Sequence, residues 1–393
     1  MAANNLTFEQ SAAFLTDLYE QASGERAIAV TDTASFVTVA QAVLKMGYDV
    51  VSNSISQVLS RTIFSIRPYT AKFRGIIVDN EKFGNWVRKV NYVDRDVVND
   101  ERLAITDGQS YDPWVIRKPI NLQTNFYGGE TFEDYITMYT TQLDMAFSGP
   151  EEFGRWAAGV FQNIEDKLEQ IREAQARATL LNFIGGKLAG DQGNCINVLQ
   201  AYKDETGTVL TPANMYSDAN YIPFAKWFYA YVDRLTLMMS ERSTKYHINV
   251  TGKELHRHTP ADRMKGYLSA RALTAINSIA LPSVFGADRL KMIDWESVNY
   301  WQNIDSPEDI IVTPTYLQAD GTLATAESPI NQSNLMGVLF DEEALGMTII
   351  NEQMLSSGIN ARTATANTYW HFTTRLYNDF TENGVVLYAA TTT

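Results

Sequence analysis

The sequence predicts a mixed α+β fold in which helices and strands occupy separate stretches of the chain. Three observations carry this. One apolar stripe runs at helical spacing from Ser148 to Leu181, Ile120–Tyr127 alternates with period two, and a second alternating run returns near the end, from Asn367.

Taken in order, residues 1–60 read as helical. Phe8, Ala12, Phe14, Leu15, Leu18 and Tyr19 recur at helical spacing, as do Val37, Val39, Ala40, Val43, Leu44 and Met46, with a break at Ser23-Gly24-Glu25-Arg26. Neither run is long enough to form its own core, so the segment is expected to dock elsewhere. Ile120, Leu122, Thr124 and Phe126 then alternate with polar partners, and Trp86–Val93 also reads as extended. The turn signals Asp107-Gly108 and Asp112-Pro113 fall between them, predicting a long hairpin with a polar tip near 95–112. A lone hairpin is marginal in water and needs a neighbouring surface.

In residues 148–184, Ser148 is placed to cap, Pro150 suits the first turn, and Glu151 and Glu152 face the positive helix end. Phe153, Ala157, Val160, Ile164, Leu168, Ile171, Ala174, Ala178 and Leu181 form one stripe, and Gly185-Gly186 is expected to stop it. Such a rod spans roughly 50 Å. A helix over 222–242, a strand at Tyr246–Val250, a helix from Pro260 to Leu281, and strands at Ile310–Val312 and Val338–Phe340 suggest an α/β-type lobe. A long strand from Asn367, a turn at Asn383-Gly384 and a strand Val385–Tyr388 close the chain.

The chain of 393 residues carries a net charge of −14. That argues against sequence-specific nucleic-acid binding and against attachment to anionic lipid. The charge is uneven: residues 61–120 carry 11 basic and 8 acidic groups, whereas residues 301–393 carry 2 and 11. Arg74, Lys82, Arg88, Lys89, Arg95, Arg102, Arg117 and Lys118, with Trp114, are therefore candidates for contact with acidic surfaces of sister copies. Interleaved Asp79, Glu81, Asp94, Asp96, Asp100 and Glu101 argue against a single-strand nucleic-acid platform. The lone Cys195 cannot form an internal disulfide, and no signal peptide or membrane span is expected.

Catalytic patterns are missing. Gly185-Gly186-Lys187 lacks the spacing of a phosphate loop. Glu254, His256 and His258 lack a third metal ligand and the two-His spacing of a zinc protease. No catalytic, cofactor or metal residue is assigned.

The order of parts (docking arm, basic hairpin, spine helix, lobe, returning strand) resembles the major capsid proteins of tailed bacteriophages, the Hong Kong 97-type fold. The patches that carry the resemblance are Asp112–Val115 with Lys118–Asn121, Ala146–Ser148 with Glu151–Phe153, and Thr368–Tyr377 running on to Gly384–Leu387. They are similar to those of short-tailed phages with small genomes. The resemblance implies an N-terminal arm at 1–60 and an extended E-loop at 61–147 that lies over a neighbouring subunit. It implies a peripheral domain from 148–190 and 346–393, and an axial domain at 191–345. It implies pentamers and hexamers closing an icosahedral virion shell around double-stranded DNA, assembled in the host cytoplasm with a portal and, in some cases, a decoration protein. Some relatives carry a helical scaffold segment ahead of the arm. The short arm here leaves no room for one, so a separate scaffolding protein is expected. Some relatives crosslink Lys to Asn, but nothing in the sequence identifies a partner for Lys82, Lys89 or Lys118. The alternatives are an encapsulin-type compartment, which shares the fold, and a carbohydrate-active enzyme.

Overall fold

The computed structural model describes residues 7–25, 30–59, 72–78, 86–93, 106–110, 112, 114, 116, 118–275 and 295–392. Much of the expected hairpin tip, and the end of the helix expected to reach Leu281, lie outside them.

Two capping boxes start the arm. At α1 (Phe8–Ser23), Gln10 N–H donates to the Thr7 hydroxyl while Thr7 N–H donates to the Gln10 side chain. At α2 (Thr33–Lys45), Asp32 and Ser35 do the same. With α3 (Tyr48–Leu59), these helices are too short to be stable alone. They bury Phe14, Leu15, Leu18, Phe36 and Val39 together against Phe153, near the start of the spine, so the arm docks on its own chain.

After β1 (Ile77–Val78) come β2 (Trp86–Val93) and β3 (Ile120–Tyr127), paired antiparallel from Trp86↔Tyr127 to Val93↔Ile120 as the alternation predicts. The strand β4 (Glu130–Tyr139) was not expected. Its alternation is broken by Asp134, an inward-facing acid that meets Lys167 of the spine at 3.2 Å. Next come α4 (Thr140–Ala146) and the spine α5 (Pro150–Ala189), whose 40 residues span about 60 Å.

The spine corrects three expectations. Gly149 is its cap, and Ser148 instead donates its hydroxyl to the Met145 carbonyl at 2.6 Å. Ala174 and Ala178 are exposed, because from Glu173 onward the helix is buried on more than one side and a single stripe no longer describes it. Finally, Gly185-Gly186 does not stop the helix. A Cβ on Gly185 would lie 2.5 Å from Val312, and one on Gly186 2.4 Å from the Phe380 ring. The glycines serve close packing.

The lobe begins with β5 (Cys195–Asn197), α6 (Val198–Thr206) and α7 (Asp218–Ser240). Tyr246–Val250 is an irregular loop and not a strand: Tyr246 sits at φ 69°, and Ile248 N–H donates to the Phe380 carbonyl. The segment expected as one helix from Pro260 instead holds a strand, β6 (Met264–Ser269), followed by the short α8 (Ala270–Ala275). β6 is buried on both faces, so its apolar residues fit neither period. Then follow β7 (Trp295–Val298), β8 (Ile310–Val312), β9 (Thr315–Leu317), β10 (Leu323–Thr325), β11 (Ile330–Gln332), β12 (Leu335–Asp341), β13 (Leu345–Ser356), β14 (Thr365–Asn378) and β15 (Gly384–Tyr388).

The two larger sheets run β1-β13-β14-β4 and β5-β15-β12-β6-β7, beside the two-stranded pairs β9–β10, β8–β11 and β2–β3. The C-terminal half of α5 covers one face of the five-stranded sheet with Phe183 and Ile184, against Phe340 and Val386. Helices α6, α7 and α8 cover the other face, with Phe224, Phe228 and Val232 near Leu339 and Val385. This explains why every residue of β12 is buried.

Candidate assembly interface

Among the described residues, the β2–β3 pair joins no other strand. Alternation gives it two unlike faces. The inner face carries Lys89, Asn91, Leu122, Thr124 and Phe126, all buried or half-buried. The outer face carries Arg88, Val90, Tyr92, Asn121, Gln123 and Asn125, all exposed. Tyr92 is 71% exposed, and beyond the strands Trp114 reaches 84% and Ile116 82%. Single exposed apolar residues are ordinary, but three large ones lie between residues 92 and 116. Trp114 N–H donates to Asp112 Oδ1 at 2.9 Å, so a local turn sets the backbone beneath the ring.

Contacts from Lys89, Phe126 and the end of β3 hold the hairpin to the body. Lys89 Nζ lies 2.6 Å from Glu382, 2.9 Å from Asp379 and 3.2 Å from Glu343. The rings of Phe126 and Tyr377 are 5.3 Å apart, and Arg375 Nε donates to the Gly128 carbonyl at 3.0 Å. Burial by itself lowers the Lys89 pKa, but the Asp379 and Glu382 carboxylates outweigh it and hold the ammonium above its ordinary range. Burial raises Glu382 against the pull of Lys89 and Arg257. Burial also acts to raise Glu343, but hydrogen bonds from Arg263 and the nearby Lys89 bring it below the usual range.

Beneath this cluster lies Lys187 of the spine, fully buried and donating to the Tyr246, Phe380 and Glu382 carbonyls at 3.4, 3.4 and 3.2 Å. Burial brings its pKa down to about 7 although Cys195, Asp379 and Glu382 favour the charge. Burial likewise pushes the Cys195 thiol up to about 12. Beside the cluster, an open cleft of about 420 Å³ is lined in part by Arg242, His256, His258 and Arg263. Among the described residues no group of His, Cys, Asp and Glu is placed to hold a metal ion, and no helix is long and apolar enough to cross a membrane.

Of the residues singled out in the sequence, Arg88, Trp114 and Lys118 are exposed on the arm. Lys89 points the other way, into its own subunit. Arg74 lies in the short turn Arg74–Ile76 before β1, outside the hairpin. Lys82, Arg95, Arg102 and Arg117 fall outside the described residues. The sequence reading missed Asp379, Glu382 and Lys187. The available signal was a lysine at the end of an apolar helical run, Phe183-Ile184-Gly185-Gly186-Lys187-Leu188, where a buried cation must find acceptors.

This mixed arrangement of helices and sheets is the shell-subunit fold of tailed phages, of the Hong Kong 97 type. The chain superposes on a chain of the capsid structure of Staphylococcus phage Andhra with a TM-score of 0.55, at 10% identity, covering 84% of this chain and 87% of that one. A chain from a structure of the head fiber and inner core protein gp22 of native bacteriophage P68 gives 0.54 at 10% identity, covering 83% and 86%. No curated protein sequence matches. Residues 18–388 match the model of the Phi29-like phage major capsid protein family, and the chain belongs to that family. It is a major capsid protein of a tailed phage, a structural component of the virion shell.

Proposed function

We propose that this chain closes an icosahedral head from pentamers and hexamers around double-stranded DNA, each copy laying its hairpin across a sister copy. The exposed residues of the hairpin region support this best: Arg88 and Tyr92 on the outer face, and Trp114, Ile116 and Lys118 beyond the strands. The mostly acidic 301–393 segment, with 11 acidic and 2 basic residues, offers complementary charge. Many weak contacts of this kind, repeated around a shell, sum to a stable particle. The negative chain grips packaged DNA loosely, consistent with later release. On this reading 1–60 is the arm, 61–147 the E-loop, 148–190 with 346–393 the peripheral domain, and 191–345 the axial domain. Assembly takes place in the host cytoplasm with a separate scaffolding protein, a portal and, where present, a decoration protein.

Negative-stain microscopy of the purified full chain tests the reading, and closed particles are expected. Arg88→Glu with Lys118→Glu is expected to reduce particle yield at least about tenfold while subunit stability moves by no more than about 0.5 kcal/mol, as for exposed positions generally. Unchanged particle yield from that pair would remove the docking role. Nuclease-protected double-stranded DNA inside particles from infected cells tests the cargo.

A further inference from the structure

We infer that Lys89, Asp379, Glu382 and Glu343 form a releasable latch that holds the hairpin against its own subunit until a neighbouring copy captures it. The inference rests on the hairpin being the assembly arm. It concerns how the arm is held beforehand, which the docking reading leaves open.

The first ground is the economy of the attachment. Among the described residues, the hairpin shares no strand pairing with either of the larger sheets. Its ties to the body include the Lys89 ion pairs, the Phe126–Tyr377 ring contact and the Arg375–Gly128 bond. The last two lie at the foot, where β3 ends. Lys89 reaches further up the hairpin, opposite Thr124. Removing it takes away a tie above the base and loosens the angle of the two strands.

The second ground is what Lys89 would leave behind. Breaking a buried ion pair is normally costly because one charge is stranded without a partner. Here two of the three carboxylates have other partners in place. Glu382 also meets Arg257 at 2.8 Å, and Glu343 is also bound by Arg263. Asp379 accepts the Thr381 N–H at 3.0 Å and the Thr381 hydroxyl at 2.6 Å on Oδ1, while its Oδ2, the oxygen that meets Lys89, is buried and has no hydrogen bond of its own. Departure of Lys89 therefore bares one carboxylate oxygen and not three, and its own side chain, 20% exposed, is already in reach of water.

The third ground is the fit of the seat. Asn91, two residues on and on the same inner face, is buried, yet its amide nitrogen finds no hydrogen-bond acceptor. A buried polar group left unmet favours departure from the seat. A neighbour that binds the outer face shifts the equilibrium between the two positions by its difference in affinity for them.

Hydrogen exchange read by mass spectrometry on the full, unassembled chain tests the latch. With Lys89→Met, amides of residues 86–93 and 120–127 are expected to exchange at least about tenfold faster, while those of 173–187 in the spine are unchanged. Arg88→Met, on the outer face, is expected to leave both regions as they were. Glu382→Gln is expected to give a smaller acceleration confined to the same strands, since Asp379 and Glu343 still hold the ammonium. Hairpin exchange within twofold of wild type in both Lys89→Met and Glu382→Gln would overturn the latch. So would loss of folding in Lys89→Met, or acceleration that spreads to the spine, because Lys89 would then be an ordinary core tie. None of these outcomes depends on particle formation. A failed latch therefore leaves the assembly defect of Arg88→Glu with Lys118→Glu standing, and a failed docking role leaves the exchange result standing.

Discussion

The spine with its five-stranded sheet and the hairpin use the same alphabet in opposite ways. Around the spine, apolar residues meet on several sides, and the packing is close enough that glycines are needed where Val312 and Phe380 approach. In the hairpin, one face meets the body, and Tyr92 and, beyond the strands, Trp114 are exposed to solvent. The difference is one of completeness. The spine lobe buries its apolar residues within one chain, whereas the hairpin leaves its outer face exposed. Stability and assembly should therefore separate by region, and mutations can test that separation.

The largest effect belongs to the lobe. Trp301 is fully buried in the spine-side core, and its indole N–H donates to the Leu335 carbonyl at 3.0 Å. Trp301→Ala leaves a cavity and an unmet carbonyl, so a loss of about 3–5 kcal/mol is expected in chemical denaturation. A loss below about 1 kcal/mol would show that this core is looser than its packing implies.

A smaller effect is expected from Gly186→Ala, which forces a methyl against the Phe380 ring 2.4 Å away. Overpacking of this sort costs about 1–3 kcal/mol. The cost should appear as a lower denaturation midpoint with no change in the exchange of the hairpin strands. If the hairpin loosened in step, the two regions would not be separable.

The same contrast explains what could be read from the sequence. The hairpin strands were legible because each has one buried and one exposed face, which writes a period of two into Ile120–Tyr127. The first turns of the spine were legible for the same reason, with Phe153 and Ala157 on its covered side. Legibility failed where burial is two-sided. Met264–Ser269 was read as helix, and Gly185-Gly186 as a stop, because a residue enclosed all round leaves no periodicity and a packing glycine looks like a breaking one. The strand Glu130–Tyr139 was hidden by one inward acid, Asp134, whose partner Lys167 lies on another element. In the candidate interface, the residue types were visible but their directions were not. Arg88 and Lys89 are neighbours in sequence and face opposite ways, one to solvent and one to Asp379 and Glu382 from near the end of the chain.

The smallest effect lies where the two regions meet, at Lys187. Burial brings its pKa down to about 7, whereas an unfolded lysine stays protonated to about 10.4. Above pH 7 the unfolded chain therefore holds one more proton at this residue than the folded chain does. Stability should rise with pH, by up to about 1 kcal/mol per pH unit. Burial also holds His247 below its ordinary value, so its contribution is nearly complete by pH 7. The Cys195 thiol, raised to about 12, acts in the opposite direction once an unfolded thiol titrates near 8.5. The clean window is thus pH 7 to 8. Wild type should gain stability across it, and Lys187→Met, which keeps much of the side-chain volume and removes the titrating group, should not. Equal slopes in the two proteins would mean that the carbonyls of Tyr246, Phe380 and Glu382 hold the ammonium charged throughout. The floor under the Asp379–Glu382 seat would then be a fixed positive charge, one that competes with Lys89 for the same carboxylates at every pH in the window.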